Sequence, residues 1–536
     1  MRTLPFDVWR ATSILIAALV LIPLAVVLSS IFSPSEEIWQ HLAEHVLPDL
    51  LTNTLWLVLG VGTLVALLGV SLAWLTAVCE FPCRRFFSWG LLLPLALPAY
   101  VTGFVYIGLL DFTGPVQSAL REAFGSLPWF PRIRSAGGVI LVMSLALYPY
   151  VYLLARNAFL TQGKRALEAA QSLGHGRWRG FFHVALPMAR PWIAGGTMLA
   201  LMETLADFGT VAVFNYDTFT TAIYKTWFGM FSLAAASQLA SILVLIVLLI
   251  ILAEQASRSR MRYASPGRHA RQERIRLEGW KRWLAFGYAA TVFALAFAVP
   301  LAQLLQWTAT VFRRDFDERY LDFLWHSLLL GGLAALLTAF AALVIVYARR
   351  SHTDRLTRFA VRVSVLGYAV PGAVLAVGIF IPLAWLDGQL ILWSKALFDH
   401  DPGILLQGTL FVMLPAYLTR FLAVAYNPLE SQMQRITRSL DEVSRSLGVT
   451  GAAMLRRVHL PILRGGLFSA LALVFVDVMK EMPITLMTRP FGWDTLAVRI
   501  FEMTSEGEWE RAALPSVALV IAGLLPIALL IRNTEK

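Results

Sequence analysis

Twelve runs of mostly apolar residues set the limits on what this chain can fold into. They lie near 12–32, 54–78, 87–110, 136–156, 193–213, 235–254, 284–307, 327–348, 363–386, 404–426, 467–488 and 514–532. An α-helix needs roughly 20 such residues to cross a bilayer, so each run is a candidate span. Hydrophobic residues make up 58% of the 536, and charged residues only 15%. Soluble globular chains carry about 25% charged residues. So much apolar surface cannot be hidden in an ordinary core, and the expected fold is an all-α polytopic membrane protein with about 12 transmembrane helices. Gly and Pro inside the runs are ordinary for membrane helices. The first run is too long for a cleaved signal peptide, has no small-residue cleavage pattern after it, and is followed by eleven more.

The loops predict the orientation. Ser33 to Asp49 holds Glu36, Glu37, Glu44 and Asp49 and no Lys or Arg, whereas the next loop has Arg84 and Arg85. The segment 255–282 carries Arg258, Arg260, Arg262, Arg268, Arg271, Arg274, Arg276, Lys281 and Arg282 against Glu273 and Glu278. Lys and Arg concentrate in cytoplasmic loops, so this segment and both termini are expected there. The net charge of +11 is then a membrane signature: a solvated linker beside anionic headgroups explains it, and no nucleic-acid partner is needed.

The chain also repeats itself. Glu168-Ala-Ala-Gln-Ser-Leu-Gly174 is followed by Val184-Ala-Leu-Pro187, and Glu442-Val-Ser-Arg-Ser-Leu-Gly448 by Val458-His-Leu-Pro461. The offset is 442 − 168 = 274, and it recurs from Gly174 to Gly448 and from Pro187 to Pro461. Pro98 maps to Pro371 at 273, and Asp217-Thr218 to Asp494-Thr495 at 277. The expected organisation is a first repeat over 1–254, a basic cytoplasmic linker over 255–282 and a second repeat over 283–536. Six helices per repeat keep the two copies parallel, related by an axis along the membrane normal.

Glu-Ala-Ala, three residues, Gly, nine residues, then a β-branched residue, any residue and Leu-Pro: this pattern resembles the EAA loop of bacterial ABC importer permeases. The first copy, near 161–191, fits throughout, and the second, near 435–465, departs at Val443 and Ser444. The resemblance implies the type I ABC importer permease fold with both halves of the pore in one polypeptide. It implies that Glu168, Ala169, Ala170, Gly174, Leu186, Pro187, Glu442, Gly448, Leu460 and Pro461 form cytoplasmic loops that dock on an ATPase. The residue types suit that task. Ala169 and Ala170 favour helix and allow close approach. Gly174 and Gly448 can turn between short helices. Pro187 and Pro461 are expected to interrupt the helix before the next span.

No Gly-x-x-x-x-Gly-Lys-Ser/Thr occurs in the chain. The resemblance therefore implies a separate ABC ATPase in two copies, which binds the ATP and Mg, and a periplasmic substrate-binding protein. No cofactor is expected in this chain, and the expected location is the bacterial inner membrane. Three stretches resemble permeases of the ferric-iron group: Leu93-Pro-Leu-Ala-Leu-Pro-Ala-Tyr100, Leu205-Ala-Asp-Phe-Gly-Thr210 with its continuation to Met230, and Met479-Lys-Glu-Met-Pro-Ile-Thr485 with Asp494-Thr-Leu-Ala-Val498. Importers for thiamine, polyamines, sulfate and phosphonates share the EAA loop and stay open as alternatives.

Four carboxylates stand out. Glu203 and Asp207 are four apart on the fifth helix, hence on one face, and Asp477 and Glu481 hold the equivalent places at offset 274. Charge at membrane depth normally faces a partner, water or the bundle interior. They either line a translocation path or brace helices, with Lys480 available to neutralise Glu481; direct ligation of iron by these hard oxygen donors is a third reading. Two weaker patterns are set aside. His41-Leu-Ala-Glu44-His45 has a zinc-peptidase spacing but sits in a short outer loop, where a helical packing turn is expected. Cys79 and Cys83 have no companion pair or nearby His, and no metal site is expected. A secondary transporter would need no EAA loop, and a membrane enzyme would need a catalytic cluster that is not found.

Overall fold

A computed structural model describes residues 8–32, 36–125, 129–163, 172, 176–259, 274–352 and 354–534. Among them run twelve long helices: α1 Val8–Ser29, α2 Leu47–Val78, α3 Ala99–Leu110, α4 Ala136–Ala158, α5 Leu186–Ala206, α6 Leu233–Ser259, α7 Trp280–Asp315, α8 Glu318–Ser351, α9 Gly372–Phe398, α10 Leu410–Met433, α11 Leu460–Lys480 and α12 Trp509–Thr534. Ten helical stretches among the described residues are long and apolar enough to cross a membrane, two fewer than the runs counted in the sequence. The other two runs are helical as well, as α5 and α12. In α5, Arg190, Glu203 and the pair Gly195-Gly196 dilute the apolar surface. Gly196 presses on Val151 of α4, where an added Cβ would lie 2.7 Å from its Cα. Small residues at such crossings are how membrane helices pack closely.

The third run of each repeat departs from the expected continuous helix. In the first, Arg84–Gly90 is followed by a tight turn at Leu93–Ala96, and helix resumes only after Pro98, as α3. In the second, Arg355–Ser364 and a turn at Leu366–Ala369 precede Pro371 and α9. Proline disfavours helical backbone in the residue before it, so Leu97 and Val370 are extended. The fifth helices end early in the same way. Asp207 follows α5 and Glu481 follows α11, both extended, and short helices Gly209–Val213 and Pro483–Thr488 come next.

The two repeats do not form two separate cores. One apolar cluster joins Leu57, Phe104 and Tyr148 of the first repeat to Leu304, Trp307 and Leu519 of the second. The other joins Val20, Val27 and Leu239 of the first to Val374, Tyr417 and Val474 of the second. α1 crosses to lie on α9, where a Cβ on Gly378 would sit 2.6 Å from the Pro23 carbonyl oxygen. Reciprocally, Tyr106 of α3 donates to the Leu295 carbonyl of α7.

The basic linker is pinned at its far end. β1 Cys79–Glu80 pairs in parallel with β2 Ile275–Arg276, Cys79 opposite Ile275. Glu80 accepts from Arg84 Nε at 3.0 Å and lies 3.9 Å from Arg274 Nη1. The solvated linker expected over 255–282 is thus partly ordered: α6 extends to Ser259, and the residues from Arg274 onward are tied to the end of α2. The central residues 260–273 lie outside the described part.

Candidate functional site

The broken third and fifth helices, with α4 and α10, line a cavity of about 570 Å³ between the two repeats, and all four sequence-predicted carboxylates, Glu203, Asp207, Asp477 and Glu481, are on its wall. They sit in two tiers. Asp207 and Glu481 cap the short helices that follow them. Asp207 Oδ1 accepts from the backbone N–H of Thr210 at 2.9 Å and of Val211 at 3.1 Å, and Oδ2 from the Thr210 hydroxyl at 2.8 Å. Glu481 accepts from Ile484 N at 3.0 Å and Thr485 N at 3.3 Å. A carboxylate at a helix N-terminus satisfies orphan donors and meets the positive end of the dipole. These two residues therefore brace the breaks while facing the cavity.

One turn away, Glu203 Oε1 accepts from the Tyr368 hydroxyl at 2.7 Å, a bond between repeats. Asp477 makes no hydrogen bond among the described residues. Lys480 is not the partner of Glu481: its Nζ donates to the Leu95 carbonyl at 2.9 Å, again between repeats. The cation beside Glu481 is Arg420, which also donates to the Val370 carbonyl at 3.3 Å. Glu481 and Arg420 converge on Gly372, where an added Cβ would fall 2.5 Å from Glu481 Oε1 and 3.1 Å from Arg420 Nη1. No three acidic, His or Cys side chains among the described residues come close enough to hold a metal ion. The four carboxylates share a wall, not a coordination sphere.

The second repeated loop lies at one end of the bundle. Arg438–Ser446 is a short helix, and the chain turns at Gly448 with φ +75°. Helix then resumes at Gly451 and runs without interruption through Leu460 and Pro461 into α11. The expected interruption at Pro461 is not seen. The missing N–H is absorbed by a widened turn over Leu455–His459, and the same widening at Phe181–Ala185 precedes Leu186 and Pro187. Glu442 is exposed, and so are Val443 and Leu447. Behind them Asp441 is buried, with Arg350 Nε and His459 Nε2 each 2.8 Å from its carboxylate. Burial works to raise the Asp441 pKa, but the bonds from Arg350 and His459 outweigh it and hold the carboxyl below its usual range. Of the first loop, Glu168, Ala169, Ala170 and Gly174 lie outside the described residues.

Comparison with known proteins decides the class. The model of the binding-protein-dependent transport system inner membrane component family matches twice, over residues 67–262 and 331–533. The chain belongs to this family. It is similar to the Fe(3+)-transport system permease protein FbpB 2 of Haemophilus influenzae, 29% identical over 495 residues that cover 91% of this chain and 90% of that one. The ferric transport system permease protein FbpB of Actinobacillus pleuropneumoniae is 24% identical over 91% of this chain and 72% of its own. The molybdenum transport system permease protein ModB of Escherichia coli is 33% identical, over 27% of this chain and 62% of its own. This permease is therefore a multi-pass inner-membrane transport subunit of a binding-protein-dependent importer.

Several site residues of the permease escaped the sequence reading. Arg420 was detectable, since it is a lone charge inside the run 404–426, and such residues mark functional positions. Tyr100, Tyr150 and Tyr368 carried no signal, because tyrosine is common in membrane helices; the helix breaks bring Tyr100 and Tyr368 to the cavity that α4 lines with Tyr150.

Proposed function

We propose that this permease forms the translocation path of an importer for ferric iron. The cargo arrives on a periplasmic binding protein, and transport is driven by two copies of a separate cytoplasmic ABC ATPase, one on each repeated loop. The observation that carries the reading is the cavity between the repeats with four carboxylates on its wall. A hard cation is met by hard oxygen donors, and acidic rings favour cations electrostatically. The relatives with iron in their names span nearly the whole chain. A second reading, an oxyanion cargo, draws on Arg420 and Lys480 in the same cavity and on the local similarity to ModB. Proteoliposomes holding the permease, its ATPase and its binding protein separate the two. Uptake of radiolabelled ferric iron and not of molybdate is expected; the reverse selectivity would overturn the iron reading.

The carboxylates are assigned to the path as well as to bracing. Charge in a spanning helix is disfavoured by about 3 kcal/mol or more without polar surroundings. Glu203→Gln, Asp207→Asn, Asp477→Asn and Glu481→Gln are each made, and iron uptake is measured per folded complex. A pathway role predicts lower uptake with little loss of protein in at least one of them. If all four match the wild type, the assignment is wrong. Orientation has its own test, in a background lacking Cys79 and Cys83. Cysteine tags placed at 265–275 should react only from the cytoplasm, and tags at 36–45 only from outside, because Lys and Arg gather on the cytoplasmic side. Opposite labelling would move the ATPase to the wrong face.

A further inference from the structure

The internal repeat allows each residue of the cavity wall to be compared with its counterpart. Glu203 corresponds to Asp477 and Asp207 to Glu481, so the carboxylates are matched. The cations are not. Arg420 faces Ala146 at 420 − 274 = 146, and Lys480 faces Ala206 at 480 − 274 = 206. The phenols are unmatched as well: Tyr368 of the second repeat corresponds to Leu95 at offset 273, and two phenols of the first repeat have no counterpart. Tyr150 corresponds to Val424 at 274, in a helix pair where Tyr152 also meets Tyr426, and Tyr100 corresponds to Ala373 at the 273 offset of Pro98 and Pro371. The wall contributed by the first repeat thus carries two carboxylates, two phenols and no cation. The wall of the second repeat carries two carboxylates, two cations and the phenol of Tyr368, and its formal charge sums to zero.

Hydrogen bonding sharpens the difference. Asp207 and Glu481 spend their oxygens on helix caps. Asp477 has Lys480 three residues on, within its electrostatic reach. Among the described residues Glu203 makes no ion pair, and only the Tyr368 hydroxyl donates to it. Tyr150 stands close enough to Glu203 and Asp477 to feel both charges. Tyr100 is 6% exposed, lies on the cavity wall within reach of the charges of Glu481 and Asp207, and its hydroxyl has no partner among the described residues. A buried hydroxyl left without a partner is costly unless something else supplies one, and a phenol oxygen beside carboxylates suits a hard cation.

We propose that the cargo cation passes along one wall only: Glu203, assisted by the Tyr150 and Tyr100 oxygens of the first repeat, makes the contacts that select it, while the second repeat supplies an electrically closed wall. This rests on the translocation reading above and names the residues within it. The contacts are those of a passage, since the described residues form no closed ligand set there.

The test uses the full complex in proteoliposomes with radiolabelled ferric iron on the binding protein. Uptake is expressed per folded complex, with ATP hydrolysis measured alongside. Glu203→Gln and Tyr100→Phe are expected to lower uptake on the order of tenfold, about the weight of 1.4 kcal/mol, with hydrolysis retained. Glu203→Asp should recover part of the loss, which a merely structural residue of fixed length would not permit. Asp477→Asn is expected to lower uptake clearly less than Glu203→Gln does, its charge being already offset by Lys480. Equal losses from Glu203→Gln and Asp477→Asn would overturn the one-wall proposal while leaving the cation path intact. Wild-type uptake in all of these variants would overturn both.

Discussion

Asp441→Ala should leave the permease folded in the membrane and its ATPase active, yet cut transport by tenfold or more. Asp441 lies between Arg350 and His459, each 2.8 Å from it. Its side chain is 11% exposed, that of Arg350 15% and that of His459 1%. Removing one member of a buried pair costs about 3–5 kcal/mol, because the partner is left as an uncompensated charge. That loss falls on the short helix Arg438–Ser446, which Arg350 also ties down through the Met433 and Thr437 carbonyls. The spans themselves are held by apolar packing elsewhere. A shift of about 1.4 kcal/mol already changes an equilibrium tenfold, so the helix should leave its docking position long before the bundle unfolds. Transport and hydrolysis measured on one reconstituted preparation decide the matter, and a wild-type ratio in the variant removes this role for Asp441.

The pH dependence of the lock has a definite sign. A carboxyl held below its usual range stabilises the folded arrangement at every pH above the unfolded value of about 3.9. The contribution is lost only as the pH falls through the lower folded value. Asp441 therefore keeps the helix Arg438–Ser446 in place throughout the neutral range.

The sequence of the first repeat does not carry the same pair. At offset 274 the counterparts of Asp441 and His459 are Leu167 and Ala185. The second copy departs from the repeated pattern at Val443 and Ser444, and this is also the copy with a buried polar anchor behind it. Sequence spacing located the loop but could not reveal the anchor. Arg350 lies 91 residues from Asp441 in the chain, and no local periodicity connects them.

The same division runs through the fold. Apolar runs are local, and they revealed the helices and the repeat. Glu203, Asp207, Asp477 and Glu481 were found because charge inside an apolar run stands out at a glance. The breaks at Pro98 and Pro371 were written in the sequence as prolines, yet prolines also occur within unbroken membrane helices, as Pro149 does in α4. What separates the cases is the tertiary setting, where the freed backbone groups must find partners. The crossing of α1 onto the second repeat left no trace in the sequence, since an apolar helix packs equally well on either half. Tyr100 and Tyr368 became site residues only through those breaks.

Two glycines five residues apart should fail in different ways, and the contrast tests how the second break is built. Gly367 lies in the turn Leu366–Ala369, and a Cβ there would sit 2.0 Å from the Thr419 carbonyl oxygen and 2.9 Å from its carbon. These are backbone atoms of α10, so no flexible side chain can yield. Overpacking of this kind costs about 1–3 kcal/mol and occasionally more, and the strain separates two elements that carry the cavity wall. Gly367→Ala should lose most of its folded, monodisperse protein. Gly372 meets the ends of side chains instead: Glu481 Oε1 at 2.5 Å and Arg420 Nη1 at 3.1 Å, with Pro483 Cγ at 3.0 Å. Gly372→Ala can be accommodated by swinging the Glu481 carboxylate off Ile484 and Thr485, which uncaps Pro483–Thr488 and moves a charge within the cavity. It should fold nearly as well as the wild type and transport far less per folded complex, by about tenfold if the lost cap costs the usual 1 kcal/mol or somewhat more. The two readouts are the monodisperse fraction after mild heating in detergent and uptake normalised to it. Wild-type heat resistance in Gly367→Ala, or wild-type uptake in Gly372→Ala, would show that the close approach around Arg420 and Glu481 is not what shapes this wall.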